Sequence, residues 1–270
     1  LCLPWRFFFF ILTNISWIAI IKPSNNEGES AVSGSVYSTI EQDRKMITLQ
    51  KNDVLLFQGD SITHGGRVQS SSDMNHIMGH GYQSILASRI GFDNWERRPE
   101  IRNRGVSGDT VAKMLARWES DTFALNPTVL SILIGTNDCA FCYNGDGPDA
   151  DMFEKEYRFL LDYTLDRFPH IRLILCEPFR YWSPLAATDT VVHEKDAWNV
   201  SHCKEYAARV RKIAAEYKTV FVPFATALTP YVESAPVDQF IWDGIHPTYV
   251  GHEIMARVWY DTVEKSGILA

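Results

Sequence analysis

The chain has no block of lysine or arginine residues. Its 26 basic residues are scattered over 270 positions and are outnumbered by 33 acidic residues, which gives a formal net charge of -7. A nucleic-acid-binding surface needs clustered positive charge, so the composition argues against DNA or RNA as a partner. The chain also lacks internal repeats and low-complexity tracts, and its apolar content can build one large core without covalent staples.

Cysteine is scarce. Five are present, and because Cys2 lies in the N-terminal apolar segment, Cys139, Cys142, Cys176 and Cys203 remain for a folded domain. This even number permits disulfides. Cys139 and Cys142 form a single C-x-x-C without the second pair that a structural zinc site needs, so a local disulfide or two free thiols are the alternatives. Cys176 lies in a mostly apolar run and is expected to be a buried free thiol.

The sequence also lacks a convincing metal-ligand cluster. His76 and His80 have the four-residue spacing of two zinc ligands on a helix. However, Gly79 and Gly81 disfavour a helix there, and no third ligand is evident. The sequence therefore predicts loop histidines at these positions, with no metal and no cofactor.

The first 45 residues differ in kind from the rest. Arg6 precedes an apolar stretch that Lys22 closes, and a mostly polar segment follows. This is the pattern of an export signal, and Ala31-Val32-Ser33 offers small residues for cleavage. A retained membrane anchor is the alternative, because the stretch approaches the roughly 17 to 20 residues that span a bilayer. We expect residues 1–45 to be a signal peptide or anchor with a polar linker, residues 46–270 to be the folded domain, and the protein to be secreted or periplasmic, or else membrane-anchored.

Beyond this leader, apolar runs bounded by turn residues alternate with longer segments of helical period. Such alternation is typical of repeated βαβ units and predicts an α/β fold with a parallel sheet. The expected strands lie near Val54–Gln58, Ile101–Asn103, Val129–Ile134, Ile171–Glu177 and Val220–Val222. The expected helices lie near Tyr82–Ile90, Thr110–Glu119, Asp151–Phe168, Ala197–Tyr217 and Pro247–Lys265, with Pro247 in the first turn of the last helix.

Several chemically useful side chains follow predicted strands or precede a predicted helix. Ser61 follows the first strand in a Gly-Asp-Ser turn, Gly108 and Asn137 follow later strands, and Asp243 and His246 precede the last helix. Ligands of open α/β sheets bind outside the carboxyl ends of the strands. We therefore expect these residues to converge on one edge of the sheet.

These residue types supply what acyl transfer requires: a nucleophile, a base, a group that orients the base, and donors for the oxyanion. Ser61 is the candidate nucleophile and His246 the candidate base. Asp243, three residues earlier, can lie on the same side of a helical turn and orient the imidazole. The candidate oxyanion donors are the backbone N–H groups of Ser61 and Gly108 and the side-chain amide of Asn137.

The motifs resemble the four sequence blocks of the SGNH, or GDSL-type, hydrolases. They are GDSITHGG at 59–66, NRGVSGDT at 103–110, GTND at 135–138 and DGIHP at 243–247. The resemblance covers nearly the whole chain after the leader. It implies a catalytic Ser61, Asp243 and His246, an oxyanion hole of Ser61, Gly108 and Asn137, and no metal. It also implies a flavodoxin-like three-layer α/β/α sandwich with a five-stranded parallel sheet.

The second block leaves two alternatives to weigh. Gly105 is the other candidate oxyanion glycine, but the run from Ser107 to Thr110 resembles the family's block more closely and favours Gly108. Ser107 is a rival nucleophile, because the segment begins like a G-x-S-x-G elbow. Asp109 replaces the final glycine of that elbow, which argues against Ser107.

The sequence thus predicts a serine esterase that removes a short acyl group, acetyl on carbohydrate, through an acyl-enzyme. Its expected partner is an acyl ester, either a small molecule or a polysaccharide. The carbohydrate preference rests on Glu177-Pro178-Phe179, which resembles exported members of the family, and on nearby aromatic residues. The candidate substrate-binding residues are Tyr181, Trp182 and Trp242. The alternatives are a lipolytic enzyme, such as a lysophospholipase or broad arylesterase with the same residues, and a non-catalytic carbohydrate-binding protein on a hydrolase scaffold.

Overall fold

A central parallel sheet organises the computed structural model, which describes residues 46–69, 73–182 and 190–269. The predicted leader lies outside the described residues. The strands are β1 (Val54–Gly59), β2 (Glu100–Asn103), β3 (Val129–Leu133), β4 (Arg172–Cys176) and β5 (Val220–Val222). Their order is β2-β1-β3-β4-β5, and every neighbouring pair is parallel. This confirms the five-stranded parallel sheet with flavodoxin-like strand order.

Helices connect the strands. They are α1 (Ser61–His64), α2 (Tyr82–Asp93), α3 (Val111–Ala116), α4 (Trp118–Asp121), α5 (Thr136–Tyr143), α6 (Ala150–Arg167), α7 (Thr190–Glu216), α8 (Phe224–Ser234) and α9 (Tyr249–Ser266). The sequence did not predict α8, which contains Pro230 and nevertheless continues past it. None of the helices in the described part of the chain is long and apolar enough to cross a membrane.

The two faces of the sheet carry separate apolar cores. In β1, Leu55 and Phe57 point into the core that α2, α8 and α9 cover, and Leu56 points into the core that α3, α6 and α7 cover. A strand buried on both faces is a nearly continuous apolar run, which explains the composition of β1 and β3. The result is the three-layer α/β/α sandwich that the sequence predicted.

Two buried tryptophans anchor helices through polar contacts inside these cores. The indole N–H of Trp259 in α9 donates to Ser131 Oγ of β3 at 3.0 Å, and that of Trp118 donates to Thr164 Oγ1 of α6 at 2.9 Å. Each indole therefore buries a large apolar surface without leaving its single donor unpaired.

The segment before α9 differs from the prediction. Thr248 caps the helix, its hydroxyl accepting from Gly251 N at 3.3 Å, so α9 begins after Pro247 rather than at it. Pro247 instead pairs with Ile241 in an antiparallel bridge. The placement of Pro247 in the first helical turn was therefore wrong. Asp243 and His246 lie in a tight turn closed by this bridge, which gives them the expected proximity without helical geometry.

The four cysteines of the described residues are free thiols. Cys139, Cys176 and Cys203 are buried, and burial raises the pKa of Cys176 to about 12. The Cys139 thiol faces α7, with its sulfur 3.8 Å from the carbonyl oxygen of Asn199, so it is not paired with Cys142. Cys139 and Cys142 are thus two free thiols rather than a local disulfide. Cys176 is a buried free thiol, as expected.

Candidate active site

Ser61 lies at the end of the sharp turn between β1 and α1. Gly59 has φ +154°, and a Cβ on it would lie 2.3 Å from the carbonyl oxygen of Leu133, so only glycine fits. Asp60 follows as the N-cap: its Oδ1 accepts from Ile62 N at 3.0 Å. Burial raises the pKa of Asp60 to about 7. Ser61 is then the first residue of α1, at the carboxyl edge of the sheet.

Asn103, the last residue of β2, ties this turn to the second motif. Its Nδ2 donates to Thr63 O at 2.8 Å, and its Oδ1 accepts from Gly105 N at 2.9 Å. One buried amide thus fixes α1 relative to the Gly105 turn. It also occupies the N–H of Gly105, the rival oxyanion donor.

A continuous hydrogen-bonded chain joins Ser61, His246 and Asp243. Ser61 Oγ lies 2.8 Å from His246 Nε2, and His246 Nδ1 lies 2.6 Å from Asp243 Oδ2. The other carboxylate oxygen, Oδ1, accepts from the backbone N–H groups of His246 at 2.7 Å and Ile245 at 3.0 Å. The carboxylate is therefore fixed by its own turn, and it fixes the ring in the tautomer whose Nε2 can accept a proton from Ser61.

The electrostatics of the pair match this geometry. The hydrogen bond that the His246 ring donates to Asp243 raises the pKa of His246, although burial opposes the shift. Burial alone would raise the pKa of Asp243, but the hydrogen bonds from the His246 ring, His246 N and Ile245 N together lower it. The aspartate is thus held as a carboxylate and the imidazole is made more basic, as a proton acceptor at neutral pH requires.

Gly108 and Asn137 lie beside one another where the second and third motifs meet. Gly108 has φ +81°, a left-handed conformation that favours glycine. Its N–H, like that of Ser61, donates to no acceptor among the described residues. Asn137 Nδ2 donates to Asp109 O at 3.0 Å, which orients the amide and leaves its second N–H available. Ser61 N, Gly108 N and Asn137 Nδ2 are therefore three candidate donors for an oxyanion.

Asp138 holds these two motifs together. Its Oδ1 accepts from Val111 N, the start of α3, at 3.0 Å, and its side chain is fully buried. Burial raises the pKa of Asp138 to about 7. Because Val111 closely follows the Gly108 turn, this bond and the one from Asn137 to Asp109 fix Gly108 and Asn137, two of the candidate oxyanion donors, relative to each other.

A cleft of about 310 Å³ opens beside Ser61 and His246. Its walls are about half polar and half apolar and include no acidic residue; they are formed by Ser61, Ile62, His64, Gly65, Gly66, His80, Ser107, Trp242, His246, Pro247 and His252. Trp242 is half exposed, with its ring 6.3 Å from that of His246. Ser107 shares this cleft, but His246 bonds to Ser61 instead.

The structure places the other two candidate aromatic residues away from this cleft. The Tyr181 hydroxyl donates to Ala225 O at 2.8 Å, and burial raises the pKa of Tyr181 to about 12. Trp182 packs edge-on against His193, with 4.4 Å between ring centroids. Neither side chain lines the cleft at Ser61. Of the three predicted substrate-binding residues, only Trp242 lies beside the catalytic constellation.

Glu177-Pro178-Phe179 serves the fold rather than the cleft. Glu177 Oε2 accepts from Thr226 N in the first turn of α8 at 3.0 Å, and Oε1 pairs with Arg211 at 2.9 Å. Phe179 is buried, and its carbonyl accepts from Thr136 Oγ1 at 3.2 Å. This segment thus positions α5 and α8.

Sequence reasoning missed four residues that shape the site: Asp60, His64, Asp138 and His252. Asp60 and Asp138 stand inside recognised motifs, and their burial next to a turn is the signal that would have identified them. His64 lies three residues after Ser61, which places it on the same side of α1. His252 lies in the first turn of α9 with no motif around it. Across the described part of the chain, no group of three or more His, Cys, Asp or Glu side chains is arranged to hold a metal ion.

Known proteins with similar sequences and folds include ester hydrolases. Residues 57–254 match the model of the GDSL-like lipase/acylhydrolase family. An acetylxylan esterase of Geobacillus stearothermophilus is 29% identical over 214 residues, which cover 76% of this chain and 91% of that protein. The crystal structure of a putative GDSL-like lipase from Parabacteroides merdae superposes with a TM-score of 0.73 at 35% identity, covering 83% of this chain and 99% of the other. A crystal structure of the Geobacillus acetylxylan esterase superposes with a TM-score of 0.66 at 27% identity, covering 80% and 96%.

Fold and family together define a carboxylic ester hydrolase. The chain belongs to the GDSL-like lipase/acylhydrolase family, whose model spans most of its described residues.

Proposed function

We propose that this chain is a serine esterase that removes short acyl groups, above all acetyl, from carbohydrate through an acyl-enzyme. The observation that carries the proposal is the chain of hydrogen bonds from Ser61 Oγ through the His246 ring to Asp243, at 2.8 and 2.6 Å. No other histidine is hydrogen-bonded to Ser61 among the described residues.

In the proposed reaction, Ser61 Oγ attacks the ester carbonyl while its proton passes to His246 Nε2. The oxyanion of the tetrahedral intermediate accepts from Ser61 N, Gly108 N and Asn137 Nδ2. The C–O bond to the alcohol breaks, and the alcohol leaves with the proton from His246. A water molecule then gives a proton to His246 and attacks the acyl-enzyme. The bond between the acyl carbon and Ser61 Oγ then breaks, His246 returns its proton to Ser61 Oγ, and the acid leaves.

Carbohydrate acetate as substrate is supported by the cleft and by a relative. A cleft of about 310 Å³ suits a small acyl group, and the polar half of its walls offers partners for a hydroxyl-rich alcohol. Trp242 at its rim offers an apolar ring face of the kind that packs against sugars. The similar Geobacillus protein is an acetylxylan esterase. An exported location, secreted or periplasmic, is part of the proposal and rests on the composition of residues 1–45.

The direct test is release of acid from acetylated sugars and polysaccharides, measured beside aryl esters of increasing acyl length, with Ser61→Ala as the control. We expect acetate release from carbohydrate and activity that collapses beyond short chains. A preference for long acyl chains would instead identify a lipolytic enzyme. Binding of carbohydrate that survives in Ser61→Ala, without turnover of any ester, would identify a non-catalytic binding protein.

Asn137→Ala tests the oxyanion assignment. Because the amide contributes one of three donors, its loss should lower kcat by about 10²- to 10³-fold with little change in KM. Asn199→Ala is the matched control: it removes a buried asparagine amide from α7, away from the cleft. An Asn137→Ala enzyme with wild-type kcat would exclude this side chain from the oxyanion hole.

The pH dependence of kcat/KM tests the base. His246 must be neutral to accept the proton, and its bond to Asp243 raises its pKa above the ordinary value of 6.5. A raised pKa favours the protonated ring, so activity should fall as the pH drops through a midpoint above 6.5. The profile should be measured on a non-ionising sugar acetate at pH values where circular dichroism is unchanged. A rate that stayed flat down to about pH 4 would contradict a histidine base.

A further inference from the structure

The cleft holds histidines that the proposed reaction does not use. His64, His80 and His252 line it together with Ser61 and His246. His64 lies at the end of α1, one turn from Ser61, and His252 lies in the first turn of α9, beyond the His246 loop. The hydrogen bonds of two of these three histidines, His64 and His252, indicate a role in binding.

The rings of His64 and His252 are each fixed in a single neutral tautomer. His64 Nδ1 accepts from Gly66 N at 3.1 Å, and His252 Nδ1 accepts from Tyr82 N at 3.1 Å. A nitrogen that accepts from a backbone N–H carries no proton, so in both rings the proton is on Nε2. Neither Nε2 has a hydrogen-bond partner among the described residues. Each ring therefore keeps one unused N–H donor.

The surroundings favour the neutral form of both rings. Burial lowers the pKa of His64, with Arg67 and His80 adding to the effect. Burial, together with His80 and His246, lowers the pKa of His252 to about 4. A neutral imidazole with a fixed tautomer is a directional hydrogen-bond donor rather than a cation.

Two backbone carbonyls near these rings are already engaged. The carbonyl of His64 accepts from Arg67 N at 2.9 Å, and that of Gly65 accepts from His80 N at 2.8 Å. None of the described residues that line the cleft is acidic. The wall beside Ser61 thus presents donors that need acceptor oxygens from whatever occupies the cleft.

We propose that the Nε2–H groups of His64 and His252 bind hydroxyl oxygens of the sugar next to the scissile ester, and so determine specificity for the alcohol half of the substrate. This inference rests on the proposed function. A saturated acyl chain has no acceptor beyond its carbonyl, which the oxyanion hole takes. Sugar hydroxyls provide acceptors on the alcohol side. The two histidines therefore act as specificity-determining residues, with no part in the bond-breaking steps.

Two variants at each position separate binding of substrate from support of the fold. Asparagine places an oxygen near the position of histidine Nδ1, so His64→Asn and His252→Asn retain the acceptor for the backbone N–H and lose the distant donor. Glutamine reaches the position of Nε2, so His64→Gln and His252→Gln retain the donor. His170→Asn, at an exposed turn after α6, is the matched control. Thermal unfolding of every variant reports the structural part of each effect.

The experiment compares kcat/KM for a monoacetylated methyl xyloside with that for tetrahydropyran-4-yl acetate, which has a similar ring without hydroxyl groups. In the full-length protein the xyloside should be preferred. Each asparagine variant should lower the ratio of the two values by about three- to tenfold, because one neutral hydrogen bond is lost, and the double asparagine variant by about ten- to a hundredfold. The glutamine variants should keep most of the ratio.

Two different results would overturn the inference. If the wild-type protein deacetylates the xyloside and the asparagine variants lower both substrates equally, the histidines support the fold or the chemistry and do not recognise hydroxyls. If the wild-type protein cleaves the plain acetate and ignores acetylated sugars, the proposed function fails, and the inference fails with it.

Discussion

Ser61→Ala should lower kcat by about 10⁴- to 10⁶-fold, the range found when a nucleophile of this type is removed. In the proposed mechanism this hydroxyl supplies the atom that forms the acyl-enzyme, and no other group among the described residues is hydrogen-bonded to His246 Nε2. The fold should survive, because Ser61 is held by its backbone while Asp60 caps α1 through Ile62 N. Acetate release measures the loss of kcat, and a thermal unfolding curve measures whether the fold is preserved.

Ser107→Ala separates the two serines of the cleft. Ser107 has the same hydroxyl group and lines the same cleft, but it lacks the bond to His246. Its replacement should cost less than about tenfold in kcat, in contrast to the loss at Ser61. If Ser107→Ala were the inactive enzyme and Ser61→Ala retained turnover, the nucleophile would have been assigned to the wrong motif.

Asp243→Asn should lower kcat by about 10⁴-fold. The asparagine oxygen can keep the bonds from His246 N and Ile245 N, which leaves its NH₂ group facing His246 Nδ1. The ring must then accept at Nδ1 and carry its proton on Nε2, where it can no longer take the proton of Ser61. The loss therefore arises from the wrong tautomer rather than from a disturbed turn.

Nitrogen-15 NMR of the histidine ring distinguishes these causes. In the wild-type protein the His246 proton should reside on Nδ1, and in Asp243→Asn on Nε2. Asp238→Asn is the matched control, because Asp238 is exposed and lies just before the same loop in the chain. Activity within about tenfold of wild type in Asp243→Asn would mean that the carboxylate does not select the tautomer.

Much of the fold could be predicted from sequence because the local signals agree with the global structure. β1 and β3 are apolar runs that end at Gly-Asp-Ser and Gly-Thr-Asn, so both their identity as strands and their direction were clear. α8 was missed because Pro230 stops a helix in most contexts. Here it lies in the second half of α8, whose apolar face packs on α9 and the sheet, and tertiary burial outweighs local propensity.

The site was predictable where chemistry depends on residue type and spacing. Ser61, Asp243 and His246 are such residues, and hydrogen bonds join them in the structure. The sequence could not predict the direction in which side chains point after a strand ends. Tyr181 follows β4 as a substrate-binding wall would, yet its backbone N–H donates to Gly244 O at 2.8 Å and its ring turns toward α8. His252 could not be found because its role depends on contact with Tyr82, 170 residues earlier.

The loop closed by the Ile241–Pro247 bridge carries both His246, the proposed base, and Asp243, which is hydrogen-bonded to it, and α9 begins two residues after Pro247. Ser61 and His246 are 185 residues apart in sequence, so the hydrogen bond between them closes one of the longest loops in the molecule. A chain in which this loop has not docked would already display Ser61 and the candidate oxyanion donors, but His246 would not be in place beside Ser61. Esterase activity should therefore appear during refolding only when the loop before α9 docks, later than the formation of the sheet.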